Sequence, residues 1–240
     1  MTTAFTRIAA FYTKVLLEAP VAEQAREYLF GRGFTQETIE QFGVGYSPSG
    51  RIDYLKHQYL PPSAIEILVD AGHLYPKGSD TYEDRFAGRI TFPFTDSTGT
   101  VTGFAARTLG NDPPKYLNSS SSKYFIKAKN IFGLHLAKES IYKADKVVLC
   151  EGYTDAMAFH QRGITNAVAV GGTYATKHHL AVIARYTNKF YLAFDSDEAG
   201  EQVTDRTKVL IKEMGMTYGL MNLPKGKDPA DVLLAAEVTL

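Results

Sequence analysis

Two sets of acidic residues in this chain each come directly after a short apolar run. The run 147–150 leads into Glu151, and the run 190–194 leads into Asp195 and Asp197. Apolar runs of this length, bounded by polar residues and glycine, are typical of buried strands in a parallel sheet. Ligands of open α/β sheets bind at the carboxyl ends of such strands. Because three carboxylates gathered there would repel one another, the pattern predicts a site for a hard divalent cation, Mg²⁺ or Mn²⁺.

An alternative interpretation of these acids is that they only cap the helices that follow the strands. One acid after one strand is more simply explained by capping. A Glu-Gly after one strand together with an Asp-x-Asp after another favours the metal site. In chemical terms, two divalent ions held by carboxylates would suit phosphoryl or nucleotidyl transfer, because they neutralise the attacking oxygen, the leaving oxygen and the phosphate.

Composition limits the classes of protein to consider. The chain has 240 residues, of which 45% are hydrophobic and 22% are charged, as in ordinary globular proteins. Its N-terminus lacks the pattern of a signal peptide, and no apolar run reaches the length of a membrane span, so no membrane partner is expected. The single cysteine, Cys150, excludes an intrachain disulfide and leaves no cysteine-based zinc site.

The distribution of charge is more informative than its sum. The formal net charge is zero, which by itself argues against nucleic-acid binding. Residues 85–129, however, carry seven basic groups and two acidic ones. This local excess favours a surface that binds phosphates, although a random surface also produces such an excess.

The residue patterns predict a mixed first part and an alternating second part. The first part contains predicted helices over 5–18, from Pro20 to about residue 31, and over 35–42, 52–59 and 63–71. Predicted strands over 89–95 and 100–107 form a hairpin, a loop covers 111–123, and a helix covers 134–144. From residue 146 onward, strands and helices alternate, which predicts a doubly wound parallel sheet of the α/β class.

Several motifs together resemble a known family. Glu151-Gly152-Tyr153-Thr154-Asp155, Gly171-Gly172-Thr173 and the segment from Asp195 to Gly200 resemble the three signatures of a TOPRIM domain, specifically that of bacterial DnaG-type primases. Upstream, the segments 89–94, 103–107, 114–119, 125–127 and 131–134 resemble the RNA polymerase core of the same family. The resemblance covers the chain from about residue 5 to about residue 235.

The resemblance implies a fold and an activity. The expected fold is α/β, a TOPRIM-type doubly wound parallel sheet preceded by an α+β primase N-terminal subdomain. The expected boundaries are 1–144 for that subdomain, 145–228 for the TOPRIM domain and 229–240 for the start of a C-terminal helical segment. The expected enzyme is a DNA-dependent RNA primase, which makes short RNA primers on single-stranded DNA from ribonucleoside triphosphates by metal-dependent nucleotidyl transfer. The resemblance also implies that the protein works in the cytoplasmic replication machinery of a bacterium or phage, with a replicative helicase as partner.

The resemblance also extends the set of candidate site residues. The catalytic and metal-binding acids are Glu151, Asp195 and Asp197, and two further metal-site candidates are Asp155 and Asp228. Primases of this family carry Asp-Pro-Asp where this chain has Asp228-Pro229-Ala230. Asp231 either substitutes from the next position or is an ordinary first-turn residue of a helix. Asp155 likewise either supports the site or favours the helix dipole.

Candidate nucleotide and DNA ligands lie in the basic segment. Arginine offers phosphate a fork of donors and lysine a point charge, and an aromatic ring offers a base a stacking surface. For Tyr116, packing in the protein core remains the alternative role. The candidates are Arg89, Arg107, Lys115, Tyr116, Asn118 and Lys127.

Two other functions remain open at this point. TOPRIM scaffolds also host metal-dependent nucleases, although the upstream motifs resemble primases. A non-catalytic replication module that binds DNA or a helicase is the second alternative. The intact set of acids argues against such a loss of activity.

Overall fold

The computed structural model describes residues 3–50, 60–78, 81–110, 113–171 and 174–235. The predicted helix over 52–59 and the glycine-threonine pair at 172–173 lie outside these residues. The described residues form two compact units. The first comprises the residues up to Gly31, Ile39–Asp96 and Thr100–Lys127, and the second comprises Arg32–Thr38, Ser97–Gly99 and the residues from Ala128 onward.

The helices of the first part begin and end close to the predicted positions. The side chain of Thr3 caps the first helix by accepting a hydrogen bond from the backbone N–H of Thr6 at 3.2 Å. Pro20 begins a short 3₁₀ turn, Pro20–Ala22, instead of an α-helix. The α-helices are α1 (Ala4–Glu18), α2 (Glu23–Gly31), α3 (Gln36–Phe42) and α4 (Pro62–Asp70).

The first unit is built around an antiparallel sheet. Its strands are β1 (Gly45–Ser47), β4 (Arg89–Thr95), β5 (Val101–Thr108) and β6 (Tyr116–Asn118), in the spatial order β1-β4-β5-β6. A separate hairpin pairs β2 (Leu74–Pro76) with β3 (Tyr82–Asp84). The predicted hairpin of β4 and β5 is confirmed.

The prediction of an uninterrupted loop over 111–123 is wrong, because β6 lies within it. Polar and small residues surround this three-residue strand, so the local pattern indicates a loop. Pairing with β5, in the register Ala106–Leu117 and Arg107–Tyr116, gives the segment its extended form. Tertiary pairing therefore overrides local preference here.

A polar group is enclosed in the core of the first unit. The hydroxyl of Tyr12 donates to the carboxylate of Asp84 and lies 2.8 Å from Nε2 of His73. All three residues are buried, and the rings of Phe86 and Phe104 pack against the imidazole. Because the hydroxyl proton is donated to Asp84, His73 donates to the hydroxyl through Nε2–H.

The second unit confirms the predicted doubly wound parallel sheet. Its strands are β7 (Val147–Cys150), β8 (Ala167–Ala169), β9 (Lys189–Ala193) and β10 (Thr217–Leu220), all parallel, in the order β10-β9-β7-β8. The helices are α5 (Leu134–Ala144), α6 (Tyr153–Gln161), α7 (Lys177–Ile183), α8 (Glu198–Glu213) and α9 (Pro229–Leu234), and a 3₁₀ helix covers Lys127–Lys129.

Alternation along the strands explains how helices cover this sheet. Leu149, Phe190 and Leu192 belong to one buried cluster that also contains apolar residues of α5, α7 and α8. Val148 and Cys150 point to the opposite face, where α6 packs against β7 and β8. Among the helices of the described residues, none has both the length and the apolar character needed to cross a bilayer.

Candidate active site

The carboxyl ends of β7 and β9 meet at the place where the strand order reverses. In the sheet, β7 lies between β8, the next strand in the sequence, and β9, the strand after that. Cys150 and Ala193 are directly paired, so Glu151 and Asp195 follow neighbouring strand ends. Open α/β sheets bind ligands at such a switch point, because the two crossover helices diverge there and leave a crevice.

Glu151 lies in an unfavourable electrostatic environment for a carboxylate. Its pKa is raised above the ordinary glutamate value, first by partial burial and then by the negative charges of Asp195 and Asp197. Within the described part of the chain, the side chain of Glu151 forms no hydrogen bond or ion pair. A bound cation would reduce the repulsion among these three carboxylates.

The two aspartates after β9 differ in what holds them. Asp197 is the N-cap of α8, and its Oδ1 accepts from the backbone N–H of Gly200 at 2.8 Å. Asp195 is half-buried, whereas Asp197 is exposed. Capping and metal binding are compatible for Asp197, because a carboxylate has two oxygens and about four lone-pair sites.

Gly200 is the final residue of the motif that begins at Asp195, and packing requires a glycine at this position. A Cβ atom built on Gly200 would overlap the carbonyl oxygen of Asp195. The first turn of α8 thus approaches the backbone of the acidic segment too closely for any side chain at this position. Gly200 sets the position of the acids by this close approach.

Gly171 is a second glycine that the site requires. Its φ is +79°, and its backbone N–H donates to the carbonyl oxygen of Glu151 at 2.9 Å. An added Cβ would overlap the hydroxyl of Tyr153, which in turn donates to the carbonyl oxygen of Gly171 at 3.3 Å. Of the predicted glycine motif, Gly171 therefore forms a tight turn directly beside Glu151.

Asp155 is buried in the first turn of α6. Its Oδ2 accepts from the backbone N–H of Gly152 at 3.0 Å, and its Oδ1 accepts from that of Ala230 at 3.2 Å. Burial, and then the charges of Asp228 and Asp195, raise its pKa well above the ordinary aspartate value. Asp155 thus links the start of α6 to the start of α9, a connection that the sequence did not predict.

Asp228 begins the last described helix and is paired with an arginine. Its Oδ1 accepts from the backbone N–H of Asp231 at 2.6 Å, which makes it the N-cap of α9. Nη2 of Arg32 lies 3.3 Å from Oδ2 of Asp228 and 2.8 Å from Oδ1 of Asp231. Ala230, at the position where the resembled family has an acid, is fully buried.

The donor atoms of this acidic cluster fit a hard divalent cation. Glu151, Asp195 and Asp197 offer only carboxylate oxygens, and burial together with the charges of the two aspartates raises the pKa of Glu151. Across the described ranges, no three acidic, histidine or cysteine side chains are already gathered as ligands of one ion. The acids thus match the ion in chemical type.

The predicted cationic residues lie in the first unit. Arg107 and Tyr116 are directly paired across β5 and β6, and Asn118 follows on the same face, two residues along β6. The guanidinium of Arg107 lies 4.2 Å from the centroid of the Tyr28 ring, and its Nη1 donates to the carbonyl oxygen of Thr108 at 3.1 Å. Tyr28 was not predicted, because it lies on α2, far from Arg107 in sequence.

The remaining predicted cations have different environments. Arg89 donates through Nη1 to the carbonyl oxygen of Pro114 at 2.9 Å and so supports the segment before β6. Lys115 is exposed. Lys127 is half-buried, and this burial lowers the pKa of its ammonium group.

Comparison with known proteins identifies two family profiles that match the chain in succession. The family described as "DNA primase catalytic core, N-terminal domain" matches residues 11–138, and the family described as "Toprim-like" matches residues 148–233. The DNA primase of Escherichia coli K12 is 38% identical over 224 residues, which are 92% of this chain and 38% of that protein. The chain thus spans less than two fifths of that relative's length.

Solved structures give the same result. The catalytic core of the E. coli primase superposes with a TM-score of 0.83 at 36% identity, covering 96% of this chain and 74% of that one. A DnaG primase catalytic domain bound to single-stranded DNA superposes with a TM-score of 0.81 at 35% identity, covering 96% and 75% of the two chains. Since one primase profile alone matches more than half of the sequence, the chain belongs to the family of DnaG-type DNA primase catalytic cores.

Proposed function

We propose that this chain is the catalytic core of a DNA-dependent RNA primase, which joins ribonucleotides along single-stranded DNA and releases pyrophosphate. The observation that carries the proposal is that Glu151, Asp195 and Asp197 follow the adjacent ends of β7 and β9 and that the two aspartates act on the pKa of Glu151. Family membership and the DNA-bound state of a related catalytic domain support the choice of template. The same membership supports a place in cytoplasmic replication, with a replicative helicase as partner.

Toprim-containing primases use divalent metal ions in general. For this chain we propose Mg²⁺ or Mn²⁺ in a two-metal site, held by Glu151, Asp195 and Asp197 with Asp228 as a further ligand. Such ions lower the pKa of an attacking 3′-hydroxyl and neutralise the charge of the triphosphate. We do not expect zinc there, since every donor is a carboxylate oxygen and zinc prefers nitrogen and sulfur.

The protein's own contribution is to keep the acids in place before substrate arrives. The close packing of Gly200 against Asp195 and the capping bond of Asp197 fix the segment after β9. Buried Asp155 adds its two backbone hydrogen bonds, which hold α6 and α9 together. Such preorganisation lowers the reorganisation needed when charge develops on the transferred phosphate.

We propose that the cationic residues of the first unit bind the nucleotide phosphates and the template. Arg107, Tyr116 and Asn118 share one face of the antiparallel sheet and offer a cation, a ring and an amide. Lys115 and Lys127 add point charges from the segments on either side, and Arg89 supports the segment before β6. Phosphate contacts of this kind position a strand without reading its sequence.

A single experiment separates this function from its two alternatives. Purified protein is incubated with single-stranded DNA, labelled ribonucleoside triphosphates and Mg²⁺ or Mn²⁺, and a parallel reaction contains labelled DNA. A primase lengthens a labelled RNA product and leaves the DNA intact. DNA cleavage without RNA synthesis would identify a nuclease, and DNA binding with neither reaction would identify a non-catalytic module.

A further inference from the structure

The loop at 224–228 is tied to the acidic segment after β9 by a serine. Oγ of Ser196 lies 2.7 Å from the carbonyl oxygen of Pro224 and 3.0 Å from that of Lys227, and it accepts from the backbone N–H of Lys227 at 3.1 Å. Ser196 stands between Asp195 and Asp197 in the sequence. One hydroxyl group therefore connects the segment with these two acids to the loop that ends at Asp228.

The same loop is held at its other end by Arg32. A single nitrogen of its guanidinium, Nη2, contacts the carboxylates of both Asp228 and Asp231. The side chains of Arg32 and Asp228 are 24% and 28% exposed, so this pair is less screened than a fully exposed ion pair, whereas Asp231 is 45% exposed. Arg32 offsets the repulsion between the N-cap aspartate of α9 and the aspartate in its first turn.

The position of Arg32 is itself fixed by neighbouring contacts. The side-chain amide of Gln161 donates to the carbonyl oxygen of Gly33 at 2.8 Å and accepts from the backbone N–H of Thr35 at 3.0 Å. Nε of Arg162 donates to the carbonyl oxygen of Leu233 at 2.6 Å. The end of α6 thus binds both the segment that carries Arg32 and α9, which Asp228 caps.

We propose that Ser196 and Arg32 are positioning residues that together fix the carboxylate of Asp228 beside the acids that follow β7 and β9. Neither residue touches the reacting groups. Ser196 sets the distance between the two acidic segments, and Arg32 sets the orientation of the Asp228 carboxylate by binding its Oδ2 while the helix binds its Oδ1. This inference rests on the proposed function, because it assumes that Asp228 contributes to the metal site.

The test is a titration of the full chain with Mn²⁺. Binding is measured in two ways, by the electron paramagnetic resonance signal of the free ion and by the rise in Tm that the metal causes. Ser196→Ala and Arg32→Met are each expected to weaken Mn²⁺ binding by about tenfold, as loss of an outer contact to a metal ligand does. Ser196→Thr keeps the hydroxyl and Arg32→Lys keeps a charged nitrogen, so both are expected to retain affinity within about threefold of the wild type.

Two matched variants control for general destabilisation. Ser140→Ala removes a hydroxyl that pairs with Thr165 at 2.8 Å, and Arg26→Met removes a guanidinium that donates to the carbonyl oxygens of Leu16 and Ala19. Both changes are expected to lower the Tm of the metal-free protein. Neither should change the affinity for Mn²⁺, because neither side chain contacts the acids.

The outcomes distinguish this inference from the proposed function. Wild-type or tighter Mn²⁺ binding by both Ser196→Ala and Arg32→Met would overturn the positioning role, and tighter binding would show Arg32 to be a competitor of the metal. Glu151→Gln is titrated in parallel. If Glu151→Gln binds Mn²⁺ as the wild type does, the proposed metal site itself is wrong.

Discussion

Cys150, the last residue of β7, lies directly opposite Ala193, the last residue of β9, in the parallel sheet. This register places Glu151 and Asp195 after adjacent strand ends, although 43 residues separate them in the sequence. The effect of Asp195 on the pKa of Glu151 is the electrostatic consequence of that placement. The backbone therefore creates repulsion between the acids before any cation is bound.

Glu151→Gln is expected to stabilise the metal-free protein while abolishing nucleotide joining. The folded state raises the pKa of Glu151 above its ordinary value of 4.5, so it binds the proton more tightly than the unfolded chain. The free energy of unfolding of the wild type therefore falls as the pH rises from 4.5 through the higher pKa of Glu151 in the folded protein. The glutamine variant lacks this titration, so its stability advantage should grow with pH.

Urea unfolding of both proteins between pH 4 and 8, without metal, checks the stability prediction for Glu151→Gln. Primer synthesis at saturating Mg²⁺ checks its activity, which should fall by at least about 100-fold. Equal stability of the two proteins at all pH values would show that Glu151 is not repelled by the neighbouring aspartates.

Gly200→Ala is expected to destabilise the protein by about 1–3 kcal/mol, because the added Cβ overlaps the carbonyl oxygen of Asp195. The displaced acid should also reduce primer synthesis. Gly31→Ala is the matched control, since a Cβ at this end of α2 meets no atom within 4 Å. Equal unfolding free energies of the two variants in urea would contradict the close approach of α8 to the acids.

Arg107→Ala is expected to weaken binding to single-stranded DNA in a salt-dependent manner. Loss of one phosphate contact should reduce the slope of log affinity against log salt by about one unit. Fluorescence anisotropy with a labelled oligonucleotide between 50 and 300 mM salt measures this slope. Arg7→Ala removes the same charge from an exposed position on α1 and should leave the slope unchanged. An unaltered slope for Arg107→Ala would place its charge away from the DNA.

His73 should make the protein sensitive to acid. Burial lowers its pKa below the ordinary 6.5, an effect that Asp84 opposes and Arg85 reinforces. The unfolded chain therefore takes up a proton near pH 6.5 while the folded protein stays neutral at this residue, so stability is lost as the pH falls below that value.

His73→Gln is expected to reduce the slope of unfolding free energy against pH below 6.5 by up to about 1.4 kcal/mol per pH unit, the value for one proton. Thermal or urea unfolding between pH 5 and 7.5 measures this slope. His178→Gln changes an exposed histidine and serves as control. A wild-type slope in His73→Gln would mean that other groups cause the acid sensitivity.

The sequence allowed the second unit to be predicted more completely than the first. Its apolar runs are almost unbroken and alternate with helical patterns, because parallel strands buried on both faces require apolar residues on both sides. In the first unit, β1 and β6 each have three residues and exist only through pairing with β4 and β5. Local patterns carry little information about such short strands.

The acids of the site were predicted from local motifs, but the residues that hold them were not. Arg32 lies 196 positions before Asp228, and Gln161 lies 128 positions after Gly33. Such contacts leave no local periodicity in the sequence. Ser196 was visible within the motif, but its role depends on a loop that approaches it only in the folded chain.

Asp195→Asn tests the central claim most directly, in comparison with Asp205→Asn. Both variants remove one carboxylate near α8, but Asp205 lies along that helix and pairs with Lys208 at 3.0 Å. The measurement is template-dependent incorporation of labelled ribonucleotides at saturating Mg²⁺. We predict that Asp195→Asn loses at least about 100-fold in rate, while Asp205→Asn keeps wild-type activity. Equal activity of the two variants would contradict a catalytic site at the ends of β7 and β9.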